Sequence, residues 1–160
     1  MSAADIGRHQ LGVMLDRVLP ALDRVIAAIP ADRLEFRATP ENMSAKELAY
    51  HVYQVAHALA RAVETGRYDL GVLAEVPFDP DAVTSAADLV DYGARVRPVV
   101  ARVRDGLTAG RLDAAIAGGA GLTATGSGCV DVMLQEAIHH RGQLMIYLRL
   151  MGVRPPGLYA

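Results

Sequence analysis

The chain has 160 residues, 52% of them hydrophobic, which is enough for one domain with a proper core. Its net charge of -2 comes from interspersed acids and bases, which argues against a nucleic-acid surface or a basic membrane patch. The single cysteine excludes an intramolecular disulfide, and no apolar stretch has the length of a signal core or a membrane span. The sequence therefore predicts one soluble, cytoplasmic domain over residues 1–160, without nucleic-acid or membrane partners.

The first predicted helix runs from about Asp5 to Ala28. Its apolar residues recur at alternating steps of four and three, the narrow stripe of a bundle helix. The stripe consists of Leu11, Leu15, Val18, Leu22, Val25 and Ile29. Pro20 lies inside this segment and is expected to bend it.

The second predicted helix begins at Ser44, because Glu47 follows three residues later in a capping-box pattern. Its stripe consists of Leu48, Val52, Val55, Leu59 and Ala62, and Gly66 is expected to end it. A long connection with two prolines follows, which permits a crossing between helices that are not neighbours.

Thr84 or Ser85 is expected to cap a third helix that contains Pro98 and is followed by a glycine-rich link. Its stripe consists of Leu89, Tyr92, Val96, Val99, Val103 and Leu107. The fourth helix is predicted from about Ser127 to Met151, before Gly152. Its stripe consists of Met133, Ala137, His140, Leu144, Tyr147 and Met151.

No segment has the pattern of a strand, so the predicted fold class is all-α. Four helices that each carry one apolar stripe bury those stripes best in a four-helix bundle. The order of packing does not follow from the pattern.

Two Glu-x-x-x-His pairs interrupt this apolar pattern: Glu136 with His140, and Glu47 with His51. His140 falls in the last stripe, Glu136 lies one turn earlier at its edge, and His51 borders the second stripe. A buried glutamate calls for a compensating cation, and two imidazoles with one carboxylate are common ligands of zinc and other first-row metals.

Simpler roles compete with this interpretation. A single inward histidine is more often a hydrogen-bonded core residue than a ligand, and Glu47 is explained by the capping box. His139 lies on a different face from His140, while His57 and His9 are expected at the surface. A di-iron carboxylate site is excluded, because only Glu136 and His139 have the Glu-x-x-His spacing that it needs twice.

Two segments carry a family resemblance. The segment "HHRGQLMIYLRLMGVRPP" resembles the last helix of DinB/YfiT-like proteins, and "SAKELAYHV" resembles their second helix with its single histidine. The resemblance implies a four-helix bundle with an unusual connection, often dimeric, that holds one divalent metal. It makes His51 the first ligand and His140 the last, with Glu136 at the position of the usual third histidine. This carboxylate is similar to the variant in the branch of mycothiol-dependent maleylpyruvate isomerase, although the tryptophan that many members carry before the second helix is absent here.

What the resemblance implies for function is transfer or isomerisation chemistry that uses a low-molecular-weight thiol and a metal-bound thiolate. The metal is expected to be zinc, with nickel, manganese or iron as alternatives, and the protein a homodimer. A metal-dependent hydrolase and a non-enzymatic, metal-binding stress-response protein stay open as alternatives. Gln143 and Arg141 are candidates for orienting a substrate, without commitment to either.

Overall fold

A computed structural model describes residues 2–158, and its regular elements are helices. α1 (Ala3–Val13), a π-helical turn (Met14–Val18) and α2 (Leu19–Ala27) follow one another without a break. The other helices are α3 (Ala45–Thr65), α4 (Ala86–Asp105), the short α5 (Ala109–Asp113) and α6 (Gly126–Leu150). Within the described range there is no strand, only the isolated bridges Arg67–Ala117 and Ala115–Thr125. The predicted all-α class is confirmed.

The first predicted helix is interrupted where Pro20 enters it. The N–H of Leu19 bonds to the carbonyl of Met14, five residues back, instead of four. Pro20 has no N–H, so it makes no bond back along the helix, and the π-helical turn accommodates the residue that would otherwise break the ladder.

Local capping sets the helix ends that the sequence predicted. The Ser44 hydroxyl accepts from the N–H of Glu47, and the Glu47 carboxylate accepts from the N–H of Ser44 at 2.7 Å. At the start of α4, the Asp88 carboxylate accepts from the backbone N–H groups of both Thr84 and Ser85, each at 2.9 Å. Gly66 ends α3 with a φ of 73°, in the left-handed region that glycine adopts without strain.

The helices are not arranged around the bundle in chain order. α3 packs against α4 and α6, and the segment formed by α1 and α2 packs against the same two helices. α3 therefore lies diagonally across the core from α1 and α2. The connection over residues 66–85, which the sequence allowed to cross the bundle, joins the neighbours α3 and α4. The links over residues 28–44 and 106–125 span the diagonals.

The core follows the predicted stripes, with one polar exception. Nearly all stripe positions are buried, and Leu15, Val55, His140 and Met151 are half-buried. His9 is exposed as expected, but the surface prediction for His57 is wrong: its side chain is fully buried. His57 follows Ala56 and precedes Ala58 on a stretch of α3 that is apolar all round, so periodicity does not reveal which face of the helix it occupies.

Cys129 is also buried, which raises the pKa of its thiol to about 11.

No helix in the described part of the chain has both the length and the apolar character needed to cross a bilayer.

Candidate metal centre

The candidate site lies where α3 and α6 pack together. The Tyr147 hydroxyl donates to the carbonyl of Met43 at 3.0 Å, which ties the C-terminal part of α6 to the residue before the α3 cap. His51, further along α3, meets Glu136, further back along α6. The two helices therefore run antiparallel, and the Tyr147–Met43 contact fixes their register about two turns from the site.

His51, Glu136 and His140 form one group, called the histidine cluster below. Nε2 of His51 lies 3.3 Å from Oε2 of Glu136, and Nε2 of His140 lies 2.9 Å from the same oxygen. The two imidazole rings are nearly perpendicular, with centroids 5.1 Å apart. One ligand atom from each residue falls within 4.8 Å of the others, and within residues 2–158 this is the only such group of three.

The cluster lies at the rim of the core. The side chains of His51, Glu136 and His140 are 29%, 33% and 12% exposed. The sequence argument started from a buried glutamate, and that premise is wrong, because Glu136 keeps a third of its surface in contact with solvent. The case for a cation therefore depends on the geometry of the donor atoms, and the partial exposure leaves the site accessible.

Gln143 decides how His140 presents its nitrogens. Nδ1 of His140 lies 2.6 Å from Oε1 of Gln143, an oxygen that only accepts, so with the amide in this orientation Nδ1 carries the hydrogen. In a neutral His140, Nε2 then has only a lone pair, and it faces a carboxylate oxygen at 2.9 Å. Two acceptors at that distance repel each other unless a cation lies between them. A metal ion fits this position, and a proton that makes His140 an imidazolium is the alternative.

The donor spacing agrees with a first-row metal. Imidazole nitrogens and carboxylate oxygens bind such ions at about 2.0–2.2 Å, which places tetrahedral ligands roughly 3.4 Å apart. The His51–Glu136 separation of 3.3 Å matches that spacing, and the His140–Glu136 separation of 2.9 Å is slightly shorter. Two imidazoles and one carboxylate also match the ligand types of open, three-residue zinc sites.

The other candidate residues are placed elsewhere. Glu47 stays in its capping box and also pairs with Arg37, whose hydrogen bond lowers the pKa of the Glu47 carboxyl. His139 is exposed, although its ring lies next to that of His140. Arg141 is buried on another side of α6. Gln143 contacts Nδ1 of His140. Its position three residues after His140 on one helix was the available signal.

Two cavities meet at His51. The larger, about 610 Å³, has charged and polar side chains in its lining, among them Lys46, Glu47 and Gln54. The smaller, about 320 Å³, is bounded by Glu136 and by the apolar side chains Val55, Leu59, Tyr68 and Val132. The ion pair between Lys46 and Glu35 lies on the larger side.

The glycine-rich link, which the sequence marked only as a loop, lines one side of the smaller cavity. The N–H of Tyr68 donates to the carbonyl of Ala117 at 2.8 Å, and the N–H of Ala117 donates to Gly66 at 2.9 Å. Gly118 adopts a φ of 79° beside the Tyr68 carbonyl, where a side chain would be strained. These contacts hold residues 118–123 against the end of α3, next to the histidine cluster.

Comparisons with known proteins agree with this architecture. A family model described as the DinB family matches residues 16–160. The uncharacterized protein YjoA of Bacillus subtilis (strain 168) is 25% identical over 126 residues, which cover 78% of this chain and 77% of that protein. A crystal structure of YjoA, described as a DinB-like protein, superposes with a TM-score of 0.72 at 21% identity, covering 93% of this chain and 97% of the other. That structural similarity supports the fold alone.

Proposed function

The chain belongs to the DinB family, and on that premise we propose that His51, Glu136 and His140 hold one divalent metal ion for thiol-dependent transfer or isomerisation. The proposal is based on one observation: two imidazole nitrogens and one carboxylate oxygen lie within 4.8 Å of one another at the accessible rim of the core. Three protein ligands leave coordination positions for a substrate atom, as in catalytic zinc sites. Zinc is the proposed metal, and nickel, manganese and iron accept the same ligand types.

The chain's own groups set the charge of the site. His51 and His140 contribute no charge as neutral ligands, and Glu136 contributes one negative charge. A divalent ion would keep a formal charge of about +1 there and would stabilise a thiolate over a thiol. Gln143 holds the Nδ1–H of His140, so that Nε2 faces the site. The carboxylate in place of a third histidine supports a relation to the branch of mycothiol-dependent maleylpyruvate isomerase.

The two cavities suit two reactants of different polarity. Lys46 and Gln54 in the larger cavity can hydrogen-bond a hydrophilic low-molecular-weight thiol, and Val55 and Leu59 in the smaller one can contact the electrophile. In the transfer, the thiol loses its proton to solvent, the sulfur lone pair forms the new carbon–sulfur bond, and a leaving group departs with its bonding electrons. We place this chemistry in the cytoplasm, where small thiols are kept reduced.

The metal assignment is tested by elemental analysis of purified protein. Wild type should carry about one divalent ion per chain, and His51→Ala or His140→Ala should carry almost none, because each removes one of only three protein ligands. His139→Ala is the matched control, since His139 is an exposed histidine on the same helix. Full metal content in both ligand variants would refute the assignment.

The thiol step is tested on cobalt-substituted protein. Addition of mycothiol, bacillithiol or glutathione should produce a sulfur-to-cobalt charge-transfer band, and Glu136→Ala should lose it together with metal affinity. If none of the three thiols produces a band, the thiol proposal is wrong. Ester or amide hydrolysis would then identify a metal-dependent hydrolase, and a loaded but inactive protein would favour a metal-binding stress-response role.

We further propose that the protein is a homodimer that pairs through the outer face of α6. Gly142, Ile146 and Leu150 are spaced by four residues, and the two apolar side chains are 56% and 57% exposed. No atom lies near the position of a Cβ on Gly142, so a second helix has room to approach there. Light scattering at micromolar concentration should give the dimer mass, and Ile146→Arg should give the monomer. A monomeric wild type would contradict the proposal.

A further inference from the structure

A separate cavity of about 620 Å³ lies between the first helical segment, α6 and the last described residues of the chain. None of the three residues of the histidine cluster lines it. Its apolar walls are Val13, Val18, Pro20, Ile138 and Leu158, and its charged side chains are Asp16, Arg17, Arg24 and Arg141. Its size is typical of small-molecule sites, which span roughly 300–1,000 Å³.

Arg141 is the buried charge of this cavity. Only 9% of the residue is exposed, and its Nε atom is buried without a hydrogen-bond partner. Within residues 2–158, Arg141 has neither a hydrogen-bond acceptor nor a carboxylate at ion-pair distance. A largely buried guanidinium whose Nε has no partner, and whose charge is opposed by no carboxylate among the described residues, favours an anion at this position.

The rest of the lining is also positive. Arg24 donates to the backbone carbonyls of Pro20 and Leu158, which hold it in place without neutralising its charge. Arg17 is exposed and forms no ion pair within the described residues. Three guanidinium groups therefore face this cavity, and Asp16 is the single carboxylate that opposes them.

The π-helical turn forms one wall of the cavity. The turn over Met14–Val18 contains Asp16, Arg17 and Val18, and it forms because Pro20 interrupts the helical ladder. The additional residue in the turn displaces the backbone from regular helical packing, and such turns are frequent at functional sites.

We propose that this cavity binds a small organic anion, with a carboxylate or phosphate head on Arg141 and an apolar body against Val18 and Ile138. The planar guanidinium fork matches the two oxygens of either head group, and a charge-assisted pair of this kind is stronger than a neutral hydrogen bond. The site is independent of the proposed metal chemistry.

Isothermal titration calorimetry with octanoate, octyl phosphate and octanol tests the proposal. Metal is stripped with EDTA, which is then removed by dialysis, and the titrations are repeated with His51→Ala, so that anion binding to a metal does not contribute. At least one of the anions should bind about 10-fold or more tightly than octanol, because only the anions pair with the guanidinium groups. The ratio between the two anions identifies the preferred head group. If octanol binds as well as both anions, the proposal is wrong.

Matched arginine variants locate the binding. Arg141→Met keeps the length of the side chain and should weaken binding of the preferred anion about 10- to 100-fold, because a charge-assisted pair is lost. Arg17→Met should weaken it less, and Arg67→Met is the control because Arg67 is exposed and lies outside the cavity. Unchanged affinity in both cavity variants overturns the proposal. If Arg141→Met does not fold, Arg17→Met decides, with its fold checked by urea denaturation.

Discussion

Two polar clusters in this bundle are each built around one carboxylate, but the two carboxylates have different kinds of partner. In the aspartate cluster, formed by Asp23, Tyr53 and Arg97, one carboxylate accepts from the Tyr53 hydroxyl at 2.5 Å and pairs with the Arg97 guanidinium. In the histidine cluster, one carboxylate oxygen faces two imidazole nitrogens. A hydroxyl and a guanidinium always have hydrogens to donate, whereas a neutral imidazole offers one N–H and one lone pair.

Burial reinforces this difference. Tyr53 is fully buried, and its burial, followed by the nearby charge of Asp23, raises the pKa of its hydroxyl well above the usual value. Tyr53 therefore stays a donor at physiological pH, and the Asp23 carboxylate has a hydroxyl and a guanidinium partner within the chain. The histidine cluster is accessible, and its carboxylate has no guanidinium or ammonium partner among the described residues. The same bundle thus contains one polar group that stabilises the fold and another that is suited to binding.

The largest expected effect is on stability, at the aspartate cluster. Asp23→Ala leaves the Tyr53 hydroxyl and the Arg97 guanidinium without their acceptor, which should lower the free energy of unfolding by about 3 kcal/mol in urea denaturation. Asp32→Ala is the control, because Asp32 is 80% exposed in its ion pair with Arg33 and should change stability little. A loss below about 1 kcal/mol for Asp23→Ala would remove the structural role assigned to this cluster.

At the histidine cluster the effect should appear in metal affinity instead. Glu136→Ala should weaken metal binding about 100-fold, measured by competition with a chelating dye, because one of three protein ligands is lost. The metal-free protein should unfold almost as wild type does, since Glu136 is one-third exposed. Glu136→His should keep the metal. A large loss of apo-protein stability in Glu136→Ala would erase the contrast between the two clusters.

A smaller effect is expected at Gln143, which contacts only a ligand. Gln143→Leu removes the acceptor for the Nδ1–H of His140 and should weaken metal binding about 10-fold in the same competition assay. Gln143→Glu keeps an acceptor and should retain most of the affinity. The control is Gln135→Leu, because Gln135 is exposed on α6. Equal affinity in Gln143→Leu and Gln135→Leu would show that Gln143 does not position His140.

The smallest effect is a pH dependence at His57, which lies on α3 with His51 but has no hydrogen bond. Burial lowers the pKa of His57 below its usual value of 6.5, and Glu75, whose Oε2 lies 3.8 Å from Nε2, only partly opposes this. Below pH 6.5 the unfolded chain binds a proton that the folded chain resists, so folding stability should fall as the pH drops through that value. In His57→Leu this part of the pH dependence should vanish, as measured by urea denaturation from pH 7.5 to 5. Identical pH profiles for both proteins would contradict the assigned shift.

Short-range patterns predicted the elements of the fold well. The Ser44–Glu47 capping box and the stop at Gly66 involve residues within one helical turn, so the chain specifies them without reference to the rest of the molecule. The effect of Pro20 was predictable for the same reason. The form of this interruption, a π-helical turn, was not predictable, because it depends on how α1 and α2 pack against α4 and α6.

For the candidate site, the sequence supplied residue types and spacing. It predicted that Glu136 and His140 share one face of a helix, because four residues span about one turn. It predicted the all-α class and made His51 a candidate on a distant segment, and the family resemblance then identified His51 as the first ligand. These conclusions depend on the helical period and on short motifs, which the linear chain contains in full.

Tertiary packing settled the properties that involve distant segments. Only the antiparallel packing of α3 on α6 brings Nε2 of His51 to within 3.3 Å of Glu136. The elements packed around α3 leave His51 accessible and bury its other histidine, His57. The link over residues 106–125 lines one side of a cavity beside the cluster because it bonds to residues 66–68. Side-chain exposure and cavity shape arise from atoms that are far apart along the chain, so periodicity in a single segment carries no information about them.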